Sequence, residues 1–179
     1  MNHVLFKQNG DAATVEIDET NGSSGSETVT HGITDTDMGS VDAANLDPVA
    51  NPIQPGNNSF EKWQQFHVTD MGGSSEIKNL KVWADSAPNG SDSHQTNATE
   101  SSYSATTSYS TPTDSASTVA TNTMPTSEPG GANLGIGGSL SGSFTSTGKS
   151  DYLVHQLQVD SGTTSGTTYN MNYQYDEVA

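Results

Sequence analysis

Apolar residues in this chain fall on every second position within short runs, and Gly, Asn, Asp and Ser separate the runs. In residues 59–84, SFEKWQQFHVTDMGGSSEIKNLKVWA, Phe60, Phe66 and Val68 share one parity before a Gly-Gly-Ser-Ser turn, and Leu80, Val82 and Ala84 share one after it. This period of two is the signature of half-buried strands. Trp63 and Ile77 break the alternation, which predicts a bulge in each run. The pattern predicts a hairpin here, at the centre of the core.

Residues 3–7 and 13–17 form two further short runs around Asn9-Gly10-Asp11, again predicting a hairpin. Residues 18–27 read as flexible and 28–34, TVTHGIT, as a strand. Pro48, Pro52 and Pro55 mark residues 35–58 as an extended connection, since each proline removes a ladder donor. Residues 85–131 are dominated by Ser, Thr, Asn and Ala. Within them TESSYSATTSYST and ASTVATNTM predict short polar strands, because Thr and Tyr suit a pleated surface. Farther on, Leu140 and Phe144 alternate with small residues, and Leu153, His155, Leu157 and Val159 share one face. The cleanest alternation sets Tyr169, Met171, Tyr173 and Tyr175 against Asn170, Asn172 and Gln174. These last two runs are expected to pair as a hairpin.

No segment sustains a helical period, so the expected fold is all-β. It is a mostly antiparallel β-sandwich, Ig-like or jelly-roll-like, with long Ser/Thr-rich loops and little helix. Residues 1–58 are expected to supply N-terminal strands and the proline-containing connection to the same assembly unit. Residues 59–179 are expected to form the sandwich, with a variable middle at 85–131.

Composition changes this picture in one respect. A hydrophobic share of 30% with a formal charge of −16 is a combination that by itself signals disorder. The alternating runs point instead to a small β core with large polar loops. All five basic residues are lysines (Lys7, Lys62, Lys78, Lys81, Lys149), so the surface repels polyanions and no nucleic-acid partner is expected. Anionic membrane surfaces are disfavoured on the same ground, and no run has the length of a membrane helix. MNHVLFKQNG lacks the basic and apolar regions of a secretory signal, which predicts a chain made and left in the cytoplasm, or a mature fragment. The absence of cysteine excludes disulfides and thiolate metal sites.

Candidate chemistry is thin. His3, His31, His67, His94 and His155 are dispersed with no metal-ligand spacing, so no metal site follows from the histidines. His67 and His155 lie in expected strands as packing or surface residues. Asp35, Asp37 and Asp42 offer hard oxygen ligands and form a weak calcium candidate, although ITDTDMGSVD lacks the glycine and glutamate of an EF-hand loop. A solvated acidic turn is the commoner outcome. There is no Gly-x-Ser-x-Gly elbow, and the glycine-rich residues 130–138 have no Lys-Ser/Thr after them, as a phosphate loop would. Those glycines are expected to permit bulges or close approach of a neighbouring chain. Asn-x-Ser/Thr sequons at Asn21, Asn57, Asn89 and Asn97 read as chance in an Asn- and Ser-rich chain. No cofactor and no enzymatic activity are expected. Trp63, Trp83, Tyr169, Tyr173 and Tyr175 are the rings a carbohydrate-binding surface would use, against the alternative that they fill a core or subunit interface. Trp83 shares the parity of Lys81 rather than of Leu80 and Val82, which predicts that it points to the opposite face of the sheet. It is an interface candidate with Tyr103 and Tyr109.

The order KNLKVWAD with Trp83, then GIGGSLSGS, then SDYLVHQLQV followed by YDE resembles small β-sandwich virion proteins of tailed bacteriophages and related prophages. The resemblance covers roughly residues 58–178. It implies a non-enzymatic module that decorates or joins parts of a particle, most simply a capsid decoration or cement protein, with a neck, tail or baseplate component as the alternative. The implied partners are the major capsid or tail protein and further copies of the chain in a homo-oligomer or symmetric lattice; the implied location is the virion. A carbohydrate-binding or adhesion module is the rival from another class.

Overall fold

The computed structural model describes residues 2–8, 12–105, 117–163 and 169–179, and among them there are eleven strands and no helix. The strands form two sheets, mostly antiparallel, stacked as a sandwich. One sheet has the order β1 (Asn2–Gln8), β11 (Asn170–Val178), β5 (Glu76–Ala84), β8 (Ser143–Phe144). The other has the order β3 (Ser26–Thr30), β2 (Thr14–Ser23), β4 (Lys62–Asp70), β10 (Tyr152–Gln158), β6 (Ser93–Glu100), β7 (Asn122–Thr123), with β9 (Gly148–Lys149) also on β4. The pairing of β1 with β11 is parallel.

Three expected hairpins are not hairpins. β1 lies in the four-stranded sheet and β2 in the other; β4 and β5 likewise lie in different sheets, and so do β10 and β11. Each turn instead carries the chain across the sandwich. The physical reason is that alternation identifies a strand and its buried face but says nothing about which sheet receives it. An arch between sheets and a hairpin within one both bury one parity and both need turn residues. The β4–β5 arch depends on Gly72, at φ 58°, where an added Cβ would stand 1.7 Å from the Ala12 carbonyl oxygen. The one tight pair that does form near the N-terminus is β2–β3, closed by a turn at residues 23–26. Residues 18–27, expected to be flexible, are thus strand except for the turn at residues 24 and 25.

The expected bulge in β5 is present. Gln174 pairs with Lys81 but Asp176 with Lys78, so β5 spends one extra residue there. Asn79 takes it up in the left-handed region, at φ 55°, and its amide donates to Asp176 at 2.6 Å. The bulge lets Ile77 and Leu80, three positions apart, both enter the core. The run containing Trp63 also carries an irregularity, at its far end, where Thr14 pairs with Asp70 but Val15 with Val68; Trp63 itself points to the opposite face of β4, where a second apolar layer covers it.

The main core lies between the sheets. Ile17, Phe66, Val68 and Leu153 meet Ile77, Leu80, Val82, Met171, Tyr173 and Tyr175, with Phe66 edge-on to Tyr175 at 5.0 Å between centroids. Full burial of such a side chain stabilises by about 1.5–3 kcal/mol. The second layer lies outside the larger sheet, where Ala105, Val119, Ala120 and Tyr103 close over Trp63, Val154 and Tyr152. Parts of the Ser/Thr-rich middle are therefore packed onto the sandwich.

Asn79→Val should lower stability by about 1–2 kcal/mol, because a β-branched residue is strained in the left-handed region, whereas Asn79→Gly should be close to neutral. Urea unfolding midpoints of the two variants check this, and equal midpoints would contradict the bulge.

Candidate functional site

Parity puts polar side chains on the inner face of the larger sheet beside the apolar ones: Glu19 on β2, Lys62 and Gln64 on β4, His155 on β10 and His94 on β6, all buried. They join Tyr169 and Tyr173 of the opposite sheet's side in one chain of hydrogen bonds, and its direction follows from the groups at its end. The Glu19 carboxylate only accepts; it takes bonds from Lys62 Nζ at 2.8 Å and Gln64 Nε2 at 3.0 Å. That orientation turns Gln64 Oε1 outward as an acceptor for His155 Nε2–H at 3.1 Å and the Tyr173 hydroxyl at 2.6 Å. A neutral His155 then accepts at Nδ1 from His94 Nε2–H at 2.8 Å, and His94 Nδ1 accepts from the Tyr169 hydroxyl at 3.0 Å. Lys62 also donates to the Ala43 carbonyl at 2.6 Å, which ties in the 35–58 connection.

Burial sets the protonation of this chain. It holds His94 down to about 3, and it holds His155 well below the usual histidine range, with His94 and Lys62 adding to the effect. Burial also raises the hydroxyls of Tyr169 and Tyr173, helped by the charges of Asp92 and Glu19 respectively. Every group is thus fixed in one donor or acceptor role, which suits a structural weld between sheets.

A second assembly lies on the outer face of the same sheet. Glu16 and Asp18 on β2 stand beside His67 on β4, because Glu16 pairs with His67 and Asp18 with Gln65 in the ladder. His31 follows β3, and Gly32, at φ 57°, turns the chain so that the His31 ring comes over β2. Asp18 Oδ2 lies 2.9 Å from His31 Nδ1, 3.0 Å from His67 Nδ1 and 2.5 Å from Lys149 Nζ. Glu16 Oε1 lies 3.0 Å from His67 Nδ1 and 3.8 Å from His31 Nδ1. Burial pushes the Asp18 carboxyl up, but Lys149, then His67 and His31, outweigh it and hold the group below the ordinary carboxylate range. Among the described residues this is the one group that brings three or more possible metal-ligating side chains together.

The sequence-predicted residues fare differently. Asp35, Asp37 and Asp42 are not gathered: Asp42 accepts from Asn21 and the Gly22 amide, and Asp35 accepts from the Asp37 amide. Tyr103 is half-buried, edge-on to Trp63 at 5.0 Å, and donates its hydroxyl to the Gly22 carbonyl. Its ring is engaged within the chain. Tyr109 lies outside the described residues. Trp83 is half-buried on the outer face of the four-stranded sheet, across from Asn172. Among the glycines of 130–138 only Gly135 is crowded, since a Cβ there would collide with the Asp151 carboxylate, to which the Gly138 amide donates at 2.7 Å; Gly130, Gly131, Gly137 and Gly138 face open space. The dispersed histidines gave no spacing signal for either cluster, since pairing between strands joins them. The available hint was parity: His155 shares a face with Leu153, and Gln64 with Phe66.

Glu61 is a further buried carboxylate, held between the Trp63 indole N–H at 3.0 Å and the Ser117 hydroxyl. Burial raises its carboxyl above the ordinary range. It pins the Ser/Thr-rich middle to the second apolar layer.

No family model, curated protein or solved structure matches this chain.

Lys62→Met should cost about 3–5 kcal/mol in unfolding free energy by leaving Glu19 charged and unpaired, and Glu19→Gln in the same chain should restore most of it. Denaturant titration of the single and double variants measures both. Below pH 6.5 the unfolded chain takes up protons on both histidines that the folded chain refuses, His94 because burial holds it down to about 3 and His155 because burial holds it well below the usual histidine range. Stability should therefore fall as pH drops below 6.5, by up to about 1.4 kcal/mol per pH unit for each histidine. Thermal melts at pH 7.5, 6 and 5 test this, and a flat Tm would contradict neutral burial.

Proposed function

We propose that this chain is a non-enzymatic structural protein of a tailed-phage virion, a capsid decoration or cement protein that binds the major capsid or tail protein as one of many symmetric copies. One observation supports it above the rival carbohydrate-binding reading. Of the five rings a sugar platform would use, Trp63, Tyr169, Tyr173 and Tyr175 are each no more than 3% exposed. They fill the two apolar layers and leave only Trp83 half-exposed to a partner. A sugar site needs ring faces open to solvent; a rigid attachment module needs its rings inside.

The outer face of the four-stranded sheet suits attachment. Trp83, half-buried there, is flanked by Lys81, which pairs with Glu128 at 2.7 Å; the neighbouring Asn172 and Gln174 are uncharged and buried, so Trp83 and the Lys81–Glu128 pair are what this face offers a partner. In a chain of net charge −16 this is a patch of low net charge. Many weak copies on a lattice hold by multivalency, so a single aromatic anchor per copy is sufficient.

Quantitative mass spectrometry of particles sedimented from the source culture should find this chain at a fixed, multi-copy stoichiometry to the major capsid or tail protein. Trp83→Glu should leave the Tm within about 3 °C, as a half-exposed outer position, while lowering particle occupancy at least tenfold. Absence from particles would overturn the proposal. Saturable binding on a glycan array that Trp83→Ala abolishes would favour the carbohydrate module instead.

A further inference from the structure

We infer that Glu16 Oε1, Asp18 Oδ2, His31 Nδ1 and His67 Nδ1 form a binding site for a divalent transition ion of the Zn²⁺ class. This inference is independent of any place in a virion.

The distances carry it. Tetrahedral Zn²⁺ with bonds of about 2.0–2.1 Å sets its ligand atoms about 3.3–3.4 Å apart. Four edges of the polyhedron are in place at 2.9, 3.0, 3.0 and 3.8 Å, and all four ligand atoms lie within 4.8 Å of one another. Adjustments of a few tenths of an ångström, mostly in the long Glu16 side chain, would close the figure. Both imidazoles direct the same nitrogen, Nδ1, at the same carboxylates.

The donor set decides the ion. Two imidazole nitrogens with two carboxylate oxygens suit a borderline ion such as Zn²⁺, whereas Ca²⁺ and Mg²⁺ prefer larger all-oxygen shells. Four protein ligands leave no open position, so the ion would act as a staple and not as a catalyst. Asp18 and Glu16 are held rigidly on β2 and His67 on the adjoining β4. His31 is the entry point, with its side chain 59% exposed where the long connection leaves β3. Closing His31 onto the sheet would fasten the start of that connection.

Lys149 shapes the affinity. Its ammonium at 2.5 Å from Asp18 Oδ2 occupies the same carboxylate from the β9 side. It stands in competition with an incoming cation and offsets one of the two carboxylate charges. The two carboxylates alone balance a Zn²⁺, so a bound ion would displace or tilt the lysine.

The test is calorimetric titration of the full chain, stripped with chelator, with Zn²⁺ alone. One site with a Kd at or below about 10 μM is expected, and a Tm raised by about 5–10 °C at a hundredfold excess over Kd. Ca²⁺ at millimolar concentration should not compete. His31→Ala and His67→Ala should each weaken binding at least tenfold, and Lys149→Ala should tighten it by about tenfold, by removing a competing cation. The exposure of His31 makes His31→Ala compatible with folding, and circular dichroism in chelator checks each variant. Substitution with Co²⁺ gives a second readout, the intense visible bands of a tetrahedral site. A Kd weaker than about 1 mM, binding undiminished in His31→Ala/His67→Ala, or octahedral Co²⁺ spectra would overturn the site.

Discussion

The hydrogen-bonded chain from Tyr169 through His94, His155 and Gln64 to Glu19 and Lys62 is the constraint on which the sandwich depends. An apolar core tolerates small slips between sheets, because dispersion and area burial have no direction. This chain does not, since each member has a single donor or acceptor role fixed by its neighbour. It starts beside the four-stranded sheet, at Tyr169, and ends on β2 of the larger one, with Tyr173 as a second link. Register across the gap is thereby set by chemistry as well as by shape.

That arrangement explains how so polar a chain closes. Asp18, Glu19, Lys62, Gln64, His94, His155, Gln156 and Glu177 are all nearly inaccessible, so much of the interior is not hydrophobic at all. Polar groups that answer one another's bonds avoid most of the desolvation penalty that an unpaired group would meet. Glu177 does this at the end of the sandwich, accepting from the Ala12 and Ala13 amides and the Ser74 hydroxyl. The larger sheet is also covered on its outer side by the Trp63 layer, which is why residues such as Gln156 and Ser117 are enclosed between them.

Strand existence and inner faces were legible from alternation. β11 is the clearest instance, with Tyr169, Met171, Tyr173 and Tyr175 all inside. So was the β5 bulge, from the odd spacing of Ile77 and Leu80. Pairing was not legible, because a strand's own residues do not encode the sheet that accepts it; hence the arches at 71–75 and between β10 and β11 read as hairpins. Both side-chain clusters stayed hidden for the same reason. His31 and His67 meet because the chain after β3 folds back over β2 while the β2–β4 ladder sets His67 beside Glu16, and His94 and His155 meet through the β6–β10 ladder. β6 itself, SHQTNATE, contains almost nothing apolar, and its place inside the sheet rests on His94, Thr96 and the neighbours they bond. In β4 the bulge falls at Thr69 and not at Trp63, whose broken parity marks a second covered face of the sheet; the two leave the same sign in the sequence.

The parallel seating of β1 on β11 has a consequence for how the molecule acquires its shape. β11 is the last strand in the sequence, yet both β1 and β5 use it as their neighbour. During synthesis β1 thus cannot take this place until the chain has been made through β11, since Asn2 pairs with Asn170 and Gln8 with Asp176. Closure of that layer is a late, long-range event, of the kind that folds slowly and leaves unpaired strand edges open to capture by other nascent chains.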